Sequence, residues 1–115
     1  MDGVIYKVLR PGEWRDARAR GVLEGSPDDI RDGFIHFSTA AQVRATLARH
    51  YAAEDEVVLL EVPAAALGPA LRWEPVRNGA LFPHLYGTLP LTEVRRSIAI
   101  RWGAEGTHTL PPEFP

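Results

Sequence analysis

The sequence predicts a compact, single α+β domain. Three observations carry that reading. Helix-period and strand-like segments are mixed without a regular βαβ repeat, which argues against a doubly wound parallel sheet. The segment "VVLLEV", Val57 to Val62, is almost continuously apolar, as a central strand buried on both faces would be. The chain has 115 residues, 45% hydrophobic and 24% charged, enough to build a core without staples.

Taken in order, "VIYKVL" (Val4 to Leu9) has the β-branched and aromatic content of a first strand. Pro11 suits the first turn of a helix carrying Trp14, Ala17, Arg18 and Val22 on one stripe, with Gly21 as its stop. Glu24 to Gly33 reads as a polar loop. "FIHF" (Phe34 to Phe37) is a short strand. Thr39 and Gln42 have the spacing of a capping box before a helix with Val43, Leu47 and Tyr51 at four-residue steps. Two main helices follow from these patterns. After Val57–Val62, "PAAALGPA" is a turn or helical turn and "LRWEPV" a further strand. Pro83 restricts "ALFPHLYG" to an edge, a bulge or an irregular segment. "RSIAIRW" (Arg96 to Trp102) alternates as a late strand. The domain is read as residues 1–103, with 104–115 as a loose, Pro-rich C-terminal tail.

Composition excludes several chemistries. There are no cysteines, hence no disulfide, thiolate metal site or cysteine nucleophile. The four histidines, His36, His50, His84 and His108, lack the short-spaced pairing of zinc sites, so no metal is expected. No Walker loop, dinucleotide glycine fingerprint or Gly-x-Ser-x-Gly elbow is present. A net charge of −2 gives no general pull toward nucleic acid or an anionic membrane. No apolar run approaches membrane-spanning length, and the N-terminus lacks a basic-then-apolar leader, so the chain is read as cytoplasmic. Nothing in the sequence fixes an oligomeric state.

Three stretches bear candidate site residues. In "DGFIHFST", alternation puts Phe34, His36 and Ser38 on one face, where His36 and Ser38 could floor a polar pocket. A hydrogen-bonded core His36, with Ser38 and Thr39 as helix caps, is the commoner outcome for such residues. In "RWEPVRNG", Arg72 and Glu74 face one way and Trp73 the other. Glu74 is then a candidate general base and Arg77 a phosphate holder. A surface ion pair between Arg72 and Glu74 is the competing reading. In "GALFPHLYG", Leu81, Phe82 and Leu85 read as packing. His84 and Tyr86 are the residues with chemistry to offer, Tyr86 through its flat ring and hydroxyl.

Together, "IYKV", "DGFIHFSTAAQV", "LLEV" and "LRWEPVRNGALFPHLYGTLPL" resemble a small bacterial family of unknown function. That family looks like a divergent member of the ADP-ribosyltransferase-like superfamily, near the RNA 2′-phosphotransferases. The resemblance implies a split β-sheet whose central cleft holds NAD or a related nucleotide. It implies that His36, in an "IHFS" strand similar to the His-Gly-Ser/Thr strand of the poly-ADP-ribose polymerase branch, orients a ribose hydroxyl with Ser38 beside it. It implies that Tyr86 stacks on a planar ring. Arg72, Arg77 and His84 would contact phosphate, and Glu74 would polarise or act as a base. Glu93 is nearest in order to the superfamily's third-strand carboxylate. The function so implied is ADP-ribosyl transfer or ribose-phosphate chemistry on a nucleotide, with RNA a candidate partner that the net charge does not favour. The alternative is a non-catalytic module that binds a nucleotide or small metabolite.

Overall fold

The sheet that organises the chain is built around Glu56–Pro63 (β5), a nearly continuous apolar segment covered on both faces. β5 pairs on one side with Val4–Leu9 (β1) and on the other with Arg96–Trp102 (β9), both antiparallel. Ser38–Thr39 (β4) extends the β1 edge and His108–Thr109 (β10) the β9 edge, giving the order β10-β9-β5-β1-β4. The computed structural model describes residues 3–76 and 78–115.

Period-two alternation sorts β1 and β5 into two cores. Tyr6, Val8, Val57 and Leu59 face the helix Val43–His50 (α3), where Val43, Leu47 and Tyr51 form the expected stripe. Ile5, Leu9, Val58, Leu60 and Val62 face the other way. They pack against Ile35, Phe37, Leu85 and Leu89, and against Ala17 of the helix Pro11–Arg20 (α1). Gly21 ends α1 in the left-handed conformation at φ 80°, which releases Val22–Leu23 (β2) to pair with Leu89–Pro90 (β8).

A second, three-stranded sheet carries the candidate residues. Its order is Ile35–His36 (β3), Leu81–Leu85 (β7) and Leu71–Pro75 (β6), again antiparallel. One face of it, with Leu71, Trp73, Leu85 and Ile35, packs into the core. Apolar side chains fill the space between this small sheet and the main one, where an open central cleft was expected. The fold is α+β, with a curled antiparallel sheet and few helices.

Four local expectations are corrected. A third helix, Pro27–Asp32 (α2), stands where a polar loop was expected; a reciprocal cap between Ser26 and Asp29 and a Pro in the first turn start it. Pro83 lies in β7, the central strand of the small sheet, and not at an edge. Its carbonyl accepts from Phe37 N at 3.0 Å, on the side where β3 pairs only through Ile35 and His36, so its missing N–H falls just past the ladder. Gln42 supplies half the capping box, accepting from Thr39 N at 3.0 Å, but the helix runs from Val43 with Gln42, not Thr39, at its N-cap. The segment 104–115 is not loose: β10 joins the main sheet, and Phe114 is buried edge-on against Tyr6 with ring centroids 5.0 Å apart.

Candidate functional site

The outward face of the small sheet gathers residues from three strands. Register makes Arg72 the cross-strand partner of His84, and His84 the partner of His36. Alternation adds Glu74 on β6 and, just past β7, Tyr86. Phe34 stands among them. Its ring stacks on His84 at 4.1 Å and 25°, and lies 4.6 Å from His36 and 5.2 Å from Tyr86. The two imidazoles meet edge-to-face at 5.5 Å.

Each histidine is held by a carboxylate. His84 Nδ1 meets Glu74 Oε1 at 2.8 Å, and the Tyr86 hydroxyl donates to the same oxygen at 2.8 Å. Those two hydrogen bonds, from His84 first and Tyr86 second, hold the Glu74 carboxyl below its ordinary value; the same bond to Glu74 pushes the Tyr86 hydroxyl up. His36 Nδ1 lies 2.6 Å from Asp29 Oδ1, and its Nε2 lies 3.0 Å from Asp32 Oδ2. Only a doubly protonated ring donates to both carboxylates at once.

Asp29 sits at the centre of a buried network. Oδ2 faces Lys7 Nζ at 2.8 Å and accepts from Ser26 N at 2.9 Å; Oδ1 accepts from His36 N at 3.1 Å. Lys7 also donates to the His36 carbonyl at 3.0 Å. Burial pushes the Asp29 carboxyl up, but the hydrogen bond from His36 and the Lys7 ammonium outweigh it and leave it well below the usual carboxylate range. Lys7 thus reaches from the main sheet to fix both the helix and the strand that present His36. Gly25 makes the approach possible. Its φ is +128°, and a Cβ there would stand 2.8 Å from Asp29 Cβ. Gly25→Ala is expected to destabilise the fold by about 1–3 kcal/mol, read as a lower denaturation midpoint with an unchanged slope.

The structure brings together His36, Arg72, Glu74, His84 and Tyr86. It does not bring Ser38 to them. The chain turns at Phe37, Ser38 enters the main sheet opposite Tyr6, and its hydroxyl bonds to Thr46 at 2.7 Å. Arg77 lies outside the described residues. Arg72 does not pair with Glu74; its guanidinium lies over the Tyr86 ring at 4.8 Å. Glu93 ends a short 3-10 turn, Leu91–Glu93, after β8. Lys7, Asp29 and Asp32 were not singled out from sequence, although a lone lysine inside an apolar strand and the Ser26-x-x-Asp29 spacing were both visible. A shallow concavity of about 220 Å³ opens on the other flank of Phe34, lined by Glu24, Asp29, Ile30, Gly33, Ile35 and Gly87 as well as Phe34 itself. Among the described residues, no group of three or more His, Asp or Glu is placed to hold a metal ion, and no helix is long and apolar enough to cross a membrane.

Residues 8–97, which include His36, His84 and all of the small sheet, match the family described as protein of unknown function (DUF952). The chain belongs to the DUF952 family. This DUF952 chain is also similar to solved structures of protein CC0527 from Caulobacter crescentus. The crystal structure shares 44% identity and a TM-score of 0.89, covering 93% of this chain and 94% of that one. The solution NMR structure of the same protein shares 44% identity and a TM-score of 0.82, covering 90% of each chain. No curated protein matches the chain. These likenesses set family and fold, and carry no reaction with them.

Proposed function

We propose that this domain binds a nucleotide of the NAD or ADP-ribose type on the outward face of the small sheet, as a binding module that need not turn its ligand over. The observation that carries the reading is the pair of histidines from adjacent strands, each gripped at Nδ1 by a carboxylate, beside Arg72. Arg72 is an exposed cation with no ion-pair partner among the described residues, and phosphate is the group a guanidinium takes best. Asp32 is exposed where it meets His36 Nε2, so a ligand hydroxyl can replace it, whereas the Asp29 grip on Nδ1 is buried and stays. The resemblance of "IHFS" to the His-Gly-Ser/Thr strand of the ADP-ribosyltransferase-like superfamily supports the nucleotide class.

Transfer of ADP-ribose is the second reading. Glu74 is the carboxylate that the small sheet itself puts on the face, but its Oε1 is already engaged by His84 and Tyr86, which favours binding without turnover. Calorimetry with NAD, ADP-ribose and a 2′-phosphorylated RNA separates the readings. Expected is binding of NAD or ADP-ribose that weakens about 10-fold or more in Arg72→Ala, as loss of a charge-assisted hydrogen bond implies. Nicotinamide release from NAD would move the reading to transfer. Silence with all three ligands would sink it.

A further inference from the structure

His84 is only 6% exposed, yet one of its ring nitrogens has no partner among the described residues. Nδ1 is committed to Glu74 Oε1, an oxygen that also accepts the Tyr86 hydroxyl. A carboxylate has no proton to give, so in the neutral ring Nδ1 carries the hydrogen and Nε2 carries the lone pair. Phe34 stacked on one face and His36 edge-on leave the ring little freedom to turn. Nε2 makes no hydrogen bond to any described residue. The ring is not wholly sealed from solvent: the side chain keeps 8% of its surface exposed. Directly across the strand pair stands Arg72, which can only donate.

We propose that Nε2 of His84 is a fixed acceptor that reads a ligand hydroxyl, so that this face selects a ribose-bearing nucleotide over its deoxyribose counterpart. The inference rests on the nucleotide reading above and sharpens its ligand. Arg72 matches an anionic oxygen. An acceptor beside it does not, because a phosphate oxygen is an acceptor too. A hydroxyl next to a phosphate satisfies both, and that is the pattern of a ribose phosphate. An analogue without the hydroxyl leaves a largely buried acceptor unpaired, a loss that polar sites convert into strong discrimination.

Two measurements test this. Long-range ¹⁵N correlation spectra of the ligand-free protein, taken where the ring's own titration shows it neutral, are expected to show His84 protonated at Nδ1 and bare at Nε2. Glu74→Gln, whose amide can donate as well as accept, is expected to mix the two tautomers, while Tyr86→Phe keeps the wild-type pattern. Calorimetry then compares ADP-ribose with its analogues deoxygenated at one ribose or the other. One analogue is expected to bind about 10- to 100-fold more weakly to the wild type, and the ratio to fall toward one in His84→Phe, which retains a ring against Phe34. A ligand-free His84 protonated at Nε2 overturns the proposal whatever binds. Equal affinity for ADP-ribose and both analogues overturns the hydroxyl selection but leaves nucleotide binding standing. Loss of all nucleotide binding overturns both.

Discussion

Asp29→Ala is expected to lower the stability of the domain by about 3–5 kcal/mol, the range for breaking one partner out of a buried ion pair. The substitution leaves the Lys7 ammonium buried with its charge uncompensated, and frees the backbone N–H groups of Ser26 and His36 that the carboxylate now accepts. Denaturant unfolding followed by far-UV signal and by tryptophan fluorescence measures it. A loss below about 1 kcal/mol, the scale of an exposed pair, would show that the network is not the tie between the two sheets. The same group sets an acid limit. Because the folded carboxyl sits below its ordinary value, the unfolded chain binds the proton more readily. Its contribution is therefore complete above the unfolded value of about 3.9 and is lost as pH falls through the lower folded value. Asp29→Asn is expected to flatten the stability profile in that acid window.

Leu60→Ala and Leu59→Ala are each expected to cost about 2–5 kcal/mol, since both side chains are fully buried on the central strand. Their consequences for the site should differ. Leu60 packs in the core shared with Ile35 and Leu85, under the small sheet, whereas Leu59 packs with Val43, Leu47 and Tyr51 beneath α3. Shifts in the His36 and His84 ring resonances are expected in Leu60→Ala and not in Leu59→Ala. Equal shifts in the two variants would mean that the cores on the two faces of β5 are mechanically one.

The parts of the fold legible in the sequence are those written in local period. β1, β5, β6, β9, α1 and the Val43–Leu47–Tyr51 stripe each announce themselves within one short window. Alternation along "FIH" and "RWE" also put Phe34 with His36, and Arg72 with Glu74, on common faces, and register then made those faces one. What was not legible depends on distant partners. α2 is short and polar, and its cap signal looks like loop chemistry until Lys7 arrives to neutralise Asp29. Ser38 leaves the His36 face because Phe37 turns into the core and the chain changes sheets there, a change no period-two count can foresee. The tail orders because Phe114 finds the Tyr6 ring, and Pro83 is tolerated inside a strand because its neighbour β3 is only two residues long.

The strand order has a kinetic consequence. β1 finds only the two-residue β4 before residues 56–63 return to it, and β5 in turn gains its second neighbour only from residues 96–102. His36 meets its partner His84 only after a comparably long loop has closed. Pairings of this kind require loop-closure entropy to be overcome before contacts reward it, which puts such chains on the millisecond-to-second side of folding rates and far from the microsecond helical bundles. The histidine face is assembled from two local pieces. The β6–β7 hairpin brings Glu74, His84 and Tyr86 together by itself. Phe34 and His36 join them only when the long loop between β3 and β7 closes, so the ability to capture a ligand should rise with that last closure.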